Sequence, residues 1–503
     1  MPYQQDQSIK TISERYNKIY SGRAEQISIN LLGWKGGRPY VEERLSRFPG
    51  ESNTDWDGGT RKDGTAFTGR KDQAHVIPYL GRIVNKINQH VFAEPPVRDG
   101  IPEDIENDIS NNGKSINELM TEVNSYYSVC KWCWIGIDAP TVGIDTEISQ
   151  EEKERQKIRP YWSVYSPLSV VDWYFNESGE LQWILTEGYD YVAENPYTKP
   201  YNQKYRKLWE FGQVTKYKYK INDDETVEDV EVTPLSLKNT IPFVLVGDLS
   251  AEPYDFDNLE SINRTIMDLE SCNRQNFYNS CFPQMKVAVS VLDTVMQKFE
   301  VNADQATQMI MGFNYPILMS ENDKEPGFIM PDADAIGTMR EELLKLRKEL
   351  FDSTGLMMQK ETKQVESAEA KGWDWLDIQA VLKQRARILS EAERKAIEIS
   401  NEWDPAFPVW EPDYNTNFEV VNFKFDMEAL ILAANLPLPK DLSLYIYERI
   451  FELLKKQGKD ITEEQEKAIN EAIKNYKVEE VKEVKEVVEP VVKNNLLNEL
   501  SVK

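Results

Sequence analysis

Histidine is nearly missing from this chain of 503 residues, which carries only His75 and His90. Triad chemistry and histidine-rich metal sites are therefore poorly supplied. Cysteine is scarce as well: Cys130, Cys133, Cys272 and Cys281 are the whole set. Cys130 and Cys133 have the spacing of a metal knuckle or redox pair, but no second such pair exists to close a four-ligand site. Alternation through KWCWIGID also reads as a strand on which Cys133 is a small packing residue. No apolar run approaches the roughly 20 residues of a membrane span. The opening MPYQQDQSIKTISERYNKIY has no apolar core of a secretory signal, so a cytoplasmic setting, or a particle assembled there, is expected. Positive charge is the other shortage, with 59 Lys and Arg against 85 Asp and Glu and a formal net charge of −26. That balance argues against tight, general nucleic-acid binding, which rests on phosphate neutralisation. It leaves open a passage through which DNA slides. The patterns G-x-S-x-G, H-E-x-x-H and G-x-G-x-x-G are missing, and no acidic pair stands out as a glycosidase dyad. Nothing supplies a catalytic residue, a cofactor site or a metal site.

What is present is length and periodicity. The chain is too long for one core, and two to four units are expected from its size alone. An organising stretch spans 257–403. It begins with a helix whose apolar residues Leu259, Ile262, Ile266 and Leu269 recur at steps of three and four, giving one buried stripe. A compact excursion ends at Pro331. A second helix then carries Ile336, Met339, Leu343, Leu346 and Leu350 at the same steps. After a polar loop, a third helix is expected over 372–402.

Before this stretch, residues up to about 70 hold Gly- and Asp-rich loops and few periodic segments, which suggests an arm or a peripheral layer rather than a core. Ile77, Leu80, Val84, Ile87 and Val91 mark one helix face, stopped by Pro95-Pro96. Ser115 with Glu118 has the form of a capping box that opens the next helix. From Arg159 the period becomes two, and aromatic-rich strands form an antiparallel meander, with a hairpin turn at 176–179. These strands hold four of the 12 Trp, Trp162, Trp173, Trp183 and Trp209. They read first as packing, with a sugar-binding platform as the alternative. Beyond Trp403 come a proline-broken linker, the strand FEVVNFKFDM, and two or three helices. The second of these carries an apolar face of Leu442, Tyr445, Ile446, Ile450, Leu453 and Leu454. The tail VEEVKEVKEVVEPVV is of low complexity.

Two short motifs bear on nucleotides and DNA. Asn112-Gly113-Lys114-Ser115 resembles the end of a phosphate-binding loop, but Asp108 stands where the first glycine belongs. Capping by Ser115 accounts for the segment. The loop LMMQKETKQVESAEAKG offers Lys360, Lys363 and Lys371 to phosphates, and Gln364 as a hydrogen-bonding neighbour. An ordinary solvated linker is the competing reading.

The helix IVNKINQHVFAEPPV, then GKSINELMTEV, WCWIGIDAP, RPYWSVYSPLSVVDWYF and TIPFVLVGD, and finally LESINRTIMDLESCNRQNFYNSCFPQMKVA with the long helix after Ser367-Ala368-Glu369-Ala370, together resemble the portal proteins of tailed bacteriophages. The resemblance covers roughly 73–470 and its motifs are diffuse. It implies an α+β fold with a mixed α/β wing, a two-helix stem, a small α/β clip, a long wing helix and a C-terminal helical crown. The implied parts are an N-terminal arm or peripheral wing segment over 1–71, wing over 72–256 and 372–427, stem helices over 257–280 and 335–355, and a clip over 281–334. A tunnel loop over 356–371, a crown over 428–475 and a flexible tail over 476–503 complete the set. The resemblance further implies a ring, typically of twelve subunits, at one capsid vertex of the virion, assembled in the host cytoplasm. Its expected partners are the large terminase subunit, the major capsid or scaffolding protein, a head-tail adaptor, and double-stranded DNA that passes without tight binding. No membrane, cofactor or catalytic activity is expected. A carbohydrate-active enzyme and a non-portal virion or adaptor protein are the alternatives.

Overall fold

The computed structural model describes residues 12–48, 56–57, 60–61, 66–140, 158–193, 197, 199–220, 223–249, 255–281, 284–288, 290, 293, 297, 317–319, 327–329, 333–354, 368–416, 418, 430–434, 440–456, 467–469 and 471–472. The fold is α+β. Two units divide the chain, Met1–Phe418 and Glu419–Lys503.

In the first unit the elements are α1 (Lys18–Lys35), α2 (Gly37–Arg44), α3 (Ala66–Gln73), α4 (Tyr79–Val91), β1 (Val97–Arg98), α5 (Ile116–Cys130), β2 (Trp132–Asp138) and β3 (Tyr161–Tyr165). A run of strands follows: β4 (Val170–Phe175), β5 (Leu181–Val192), β6 (Tyr201–Glu210), β7 (Gln213–Lys220), β8 (Asp223–Pro234) and β9 (Phe243–Gly247). Then come α6 (Asp255–Cys281), β10 (Gln284–Ala288), β11 (Ile317–Met319), β12 (Gly327–Ile329), α7 (Ala333–Asp352), α8 (Ala368–Trp403) and β13 (Pro412–Asp413). The second unit contains α9 (Lys440–Lys456).

Strand β2 is the divider of the first unit. Successive side chains of a strand point to opposite faces, and here both faces are buried. Cys133, Ile135 and Ile137 enter one core with Leu119, Val123, Leu382 and Leu389. Trp132 and Trp134 enter the other with Leu80, Trp173, Leu259 and Leu343. The sheet built on it has the order β9-β2-β3, all antiparallel. Gly136 is required there because Tyr165 and Phe243 stack edge-to-face across it, and a Cβ at that position would lie 2.5 Å from the Tyr165 ring.

Helix α5 begins as its sequence dictates. The Ser115 hydroxyl accepts from Glu118 N, and the Glu118 carboxylate accepts from Ser115 N at 2.8 Å. Asp108, which breaks the phosphate-loop pattern, accepts from Gly113 N at 2.7 Å. The meander is a five-stranded antiparallel sheet of order β8-β7-β6-β5-β4. Its β4–β5 turn is closed by Asn176, whose Oδ1 accepts from Ser178 N and Glu180 N at 2.9 Å, with Gly179 at φ +79. Tyr161–Tyr165 does not join this meander; it pairs with β2.

Three expectations are corrected. The segment 1–71 is not a peripheral arm among its described residues. Ile27 and Leu31 of α1 sit in the aromatic core, and Tyr40 and Val41 of α2 are buried. The stripe of α1 is broken by the buried Asn30 and Gly33, so its periodicity does not register as apolar. The stretch after Trp403 is not a free linker either: Phe407, Trp410 and Tyr414 are buried in the same core as α8. Proline there shapes an irregular path rather than an exposed one. Finally, α8 starts at Ala368, not 372, so Lys371 lies in the helix rather than in the loop.

In the second unit, Ile446 of α9 is buried while Leu442 and Tyr445 are exposed. The expected strand FEVVNFKFDM, apart from Phe418, and the low-complexity tail lie outside the described residues.

Candidate functional site: a two-helix hairpin with a small sheet between its helices

Helix α6 has 27 residues and α7 has 20, lengths of about 40 and 30 Å at 1.5 Å per residue. They pack together, and the apolar residues expected from spacing make the seam. Leu259, Ile266, Leu343 and Leu350 are buried. Ile262, Leu269 and Leu346 are half-buried against the same cluster. Met339 is half-buried nearer the start of α7. An ion pair between Arg347 and Glu270 crosses the seam.

The other flank of α6 is polar and was missed by sequence reasoning. Asp257 accepts from Arg23 Nη2 and from Asn30 Nδ2, both at 2.7 Å. Glu260, only 2% exposed, accepts from the Tyr40 hydroxyl and Arg44 Nε at 3.1 Å. Burial, reinforced by that carboxylate, pushes the Tyr40 hydroxyl well above its ordinary pKa. Arg264 donates to Ser46 Oγ at 2.8 Å, Asp268 accepts from Ser46 N at 2.9 Å, and Arg70 donates to Ser271 Oγ at 2.7 Å. A signal was there to find. Asp257, Glu260, Arg264, Asp268 and Ser271 recur at steps of three and four, but a charged stripe ordinarily means a solvated face.

Between the helices in sequence lies a three-stranded sheet of order β11-β10-β12. Strand β10 runs parallel to β11, with Lys286 opposite Ile317. It runs antiparallel to β12, with Met285 opposite Phe328. Most of the remaining residues of 281–334 lie outside the described set.

The residues proposed to face DNA are not brought together by anything described. Lys360, Lys363 and Gln364 lie outside the described residues, and Lys371 lies in α8. The cysteine pair is chemically quiet. Cys130 and Cys133 are both buried, and burial raises both thiol pKa values, the opposite of what a metal ligand or redox nucleophile needs. Cys133 Sγ donates to Val123 O at 3.6 Å. Among the described residues, no three His, Cys, Asp or Glu come together as a metal site, and no helix is long and apolar enough to cross a membrane.

Trp132, Trp134, Trp162 and Trp209 are buried at 1% exposure or less, so none of these four offers a sugar platform. A cleft of about 590 Å³ does lie beside the meander, lined by Asp138, Arg159, Lys207, Lys216, Glu231 and Asp404 among others. Burial raises the Asp138 carboxyl pKa, and Tyr161 donates to it at 3.3 Å. The cleft mixes cations and carboxylates.

No family model and no curated protein matches the chain. Among solved structures, it is similar to a chain in the virion of a native gene transfer agent particle. The TM-score is 0.38 at 11% identity, covering 74% of this chain and 89% of that one. A chain in the neck of an empty gene transfer agent particle gives a TM-score of 0.40 at 10% identity, covering 74% and 90%. Likeness at this level assigns no role.

Proposed function

We propose that this chain is a structural subunit of a tailed bacteriophage or phage-like particle, and specifically a portal: a ring at one capsid vertex through which DNA enters and leaves. The carrying observation is the hairpin itself. Two long helices packed along an apolar seam, with a small sheet between them, followed by a 36-residue helix, follow the stem, clip, stem and wing order that the sequence resemblance implies. In this reading α6 and α7 are the stem, β10–β12 belong to the clip, and β2 with its two cores forms the wing. Residues 356–371 meet DNA and 428–475 form the crown. Phe277 on α6 and Leu344 on α7 stay exposed in the single chain, as is expected of a thin wall whose neighbours cover one flank.

Such a protein works by geometry and needs no catalytic group; the terminase that docks on it supplies the chemistry. Strong net acidity suits a channel that repels DNA enough to keep it sliding, with a few lysines for transient phosphate contact. Electron microscopy of the purified full chain tests the reading. Rings with a central hole, of about twelve subunits by analogy with the family, are expected. Monomers, or a glycan-cleaving activity, would sink it. Replacing Lys360, Lys363 and Lys371 by Ala is expected to leave rings intact and impair DNA packaging or retention.

A further inference from the structure

The two edges of the meander differ. The β4 edge is closed by the chain's own N-terminal segment: Asn17 N donates to Val171 O at 2.9 Å and Asn17 Nδ2 donates to Trp173 O at 3.2 Å. At the opposite edge, β8 spans 12 residues and pairs only with β7 among the described strands. An edge strand presents a row of backbone donors and acceptors to any strand that fits, and proteins commonly guard such edges with lysine or proline. Over 226–234 this edge carries Glu228, Asp229 and Glu231 and no Lys or Arg, with Pro234 at its last position. Its guard is a single sign of charge, which repels a copy of itself and attracts a basic strand.

The inner side of β8 shows what such a strand looks like. Against it, β7 sets Lys218 opposite Asp229, Tyr217 opposite Val230 and Lys216 opposite Glu231. That pairing leaves the carboxylates under-neutralised. Among the described residues Lys218 Nζ alone pairs with both Asp229 and Glu231, each at 3.4 Å, and those side chains stay 59% and 57% exposed. Lys216 is drawn to Asp190 at 2.5 Å. On the other face Val230 and Val232 are exposed. Past the two register shifts ahead of Asp229, residues 229–234 pair without interruption.

We infer that β8 is a docking edge that takes up, as a sixth strand, an extended segment of another protein in which Lys or Arg alternates with aromatic or β-branched residues. Backbone hydrogen bonds supply the affinity and the alternation supplies the choice of partner. Cations of the incoming strand face Asp229 and Glu231, and its apolar residues cover Val230 and Val232. Among the described residues the matching alternations, Lys216 to Lys220 and Lys204 to Lys207, are already paired inside the meander, so the occupant comes from a different polypeptide. This inference does not depend on the portal reading.

The test uses the full chain and a labelled synthetic peptide alternating Lys with Tyr and Val, beside a control with Glu in place of each Lys. Fluorescence anisotropy reads binding, and amide hydrogen exchange reads where it occurs. The Lys peptide is expected to bind, to slow exchange across 229–233, and to weaken as salt rises. The Glu peptide is expected to do neither. The variant D229K/E231K should bind the Lys peptide about tenfold more weakly, from two cross-strand pairs turned from attractive to repulsive. Should that variant fail to fold, the two peptides on the unaltered protein still decide. Unchanged exchange in β8, or equal protection by both peptides, would overturn the inference. So would protection that appears without peptide as protein concentration rises, which would make a second copy the occupant.

Discussion

Two buried arginines, Arg98 packed against the long helix α8 and Arg385 on it, meet burial in opposite ways. Arg98, 1% exposed at its side chain, faces Glu393, which is fully buried. Its Nε and Nη2 donate to that carboxylate at 2.6 and 3.0 Å, while Trp410 Nε1 and the Tyr414 hydroxyl donate to it at 2.9 and 2.7 Å. Arg385, eight residues before Glu393 on α8 and 8% exposed, has no carboxylate within ion-pair range among the described residues. Its Nη1 donates to Asn124 Oδ1 at 3.2 Å and Ser128 Oγ at 2.6 Å, its Cζ lies 5.2 Å from the Tyr127 ring centroid, and its Nε has no hydrogen-bond partner among the described residues. Burial alone would push the Arg98 guanidinium down, but the bonds to Glu393 outweigh it and hold it above its ordinary value. At Arg385 burial wins, and the guanidinium is lowered to about 10, still charged at neutral pH. One site is a closed electrostatic unit that ties β1, α8 and the 410–414 segment together. The other is a cation solvated by neutral dipoles. The lesson is that similar burial carries different liabilities, decided by what is left behind when the arginine is removed.

Replacing Arg98 by Met should have the largest effect, because it strands the Glu393 charge in the core. A loss of about 3–5 kcal/mol is expected in urea unfolding of the full chain. Adding Glu393→Leu to that variant should restore much of it, and no restoration would mean packing rather than charge dominates. Leu343→Ala provides an apolar reference from the α6–α7 seam, with about 2–4 kcal/mol expected from lost burial and the cavity left. The half-buried Leu346 should lose distinctly less. Arg385→Met should cost only about 1–2 kcal/mol, the effect of leaving Asn124 and Ser128 with an unmet bond each. A loss matching that of Arg98→Met would show that the two sites are not different after all. The smallest change is expected for Glu411→Gln. Its pair with Arg394 sits on the exposed face of α8 with both side chains largely solvated, and thermal melts of the two proteins should overlay within error.

Much of the local structure was legible in the residues. The Ser115–Glu118 capping box, the turn at 176–179 and the seam residues Leu259, Ile266, Leu343 and Leu350 all follow from spacing and side-chain chemistry that act within a few residues. The portions that escaped depend on distant partners. Nothing near Glu260 announces Arg44 and Tyr40, more than 200 positions away, and a polar stripe on a helix is normally solvated. Phe407, Trp410 and Tyr414 looked like a linker because proline hides periodicity, although their aromatic rings are what the core collects.

By itself, then, the sequence determined the short-range features: where α5 begins, how the turn at 176–179 closes, and which stripe of α6 is apolar. It also determined the bulk charge, and with it the kind of partner that the edge strand β8 would accept. Tertiary structure alone decided that the charged stripe of α6 is clamped rather than wet, and that both faces of β2 are buried. It also decided that Arg98 has a carboxylate while Arg385 has none within ion-pair range among the described residues. The physical reason is range. Backbone propensity and capping act over a few residues, whereas desolvation and charge pairing depend on every element that closes over a site.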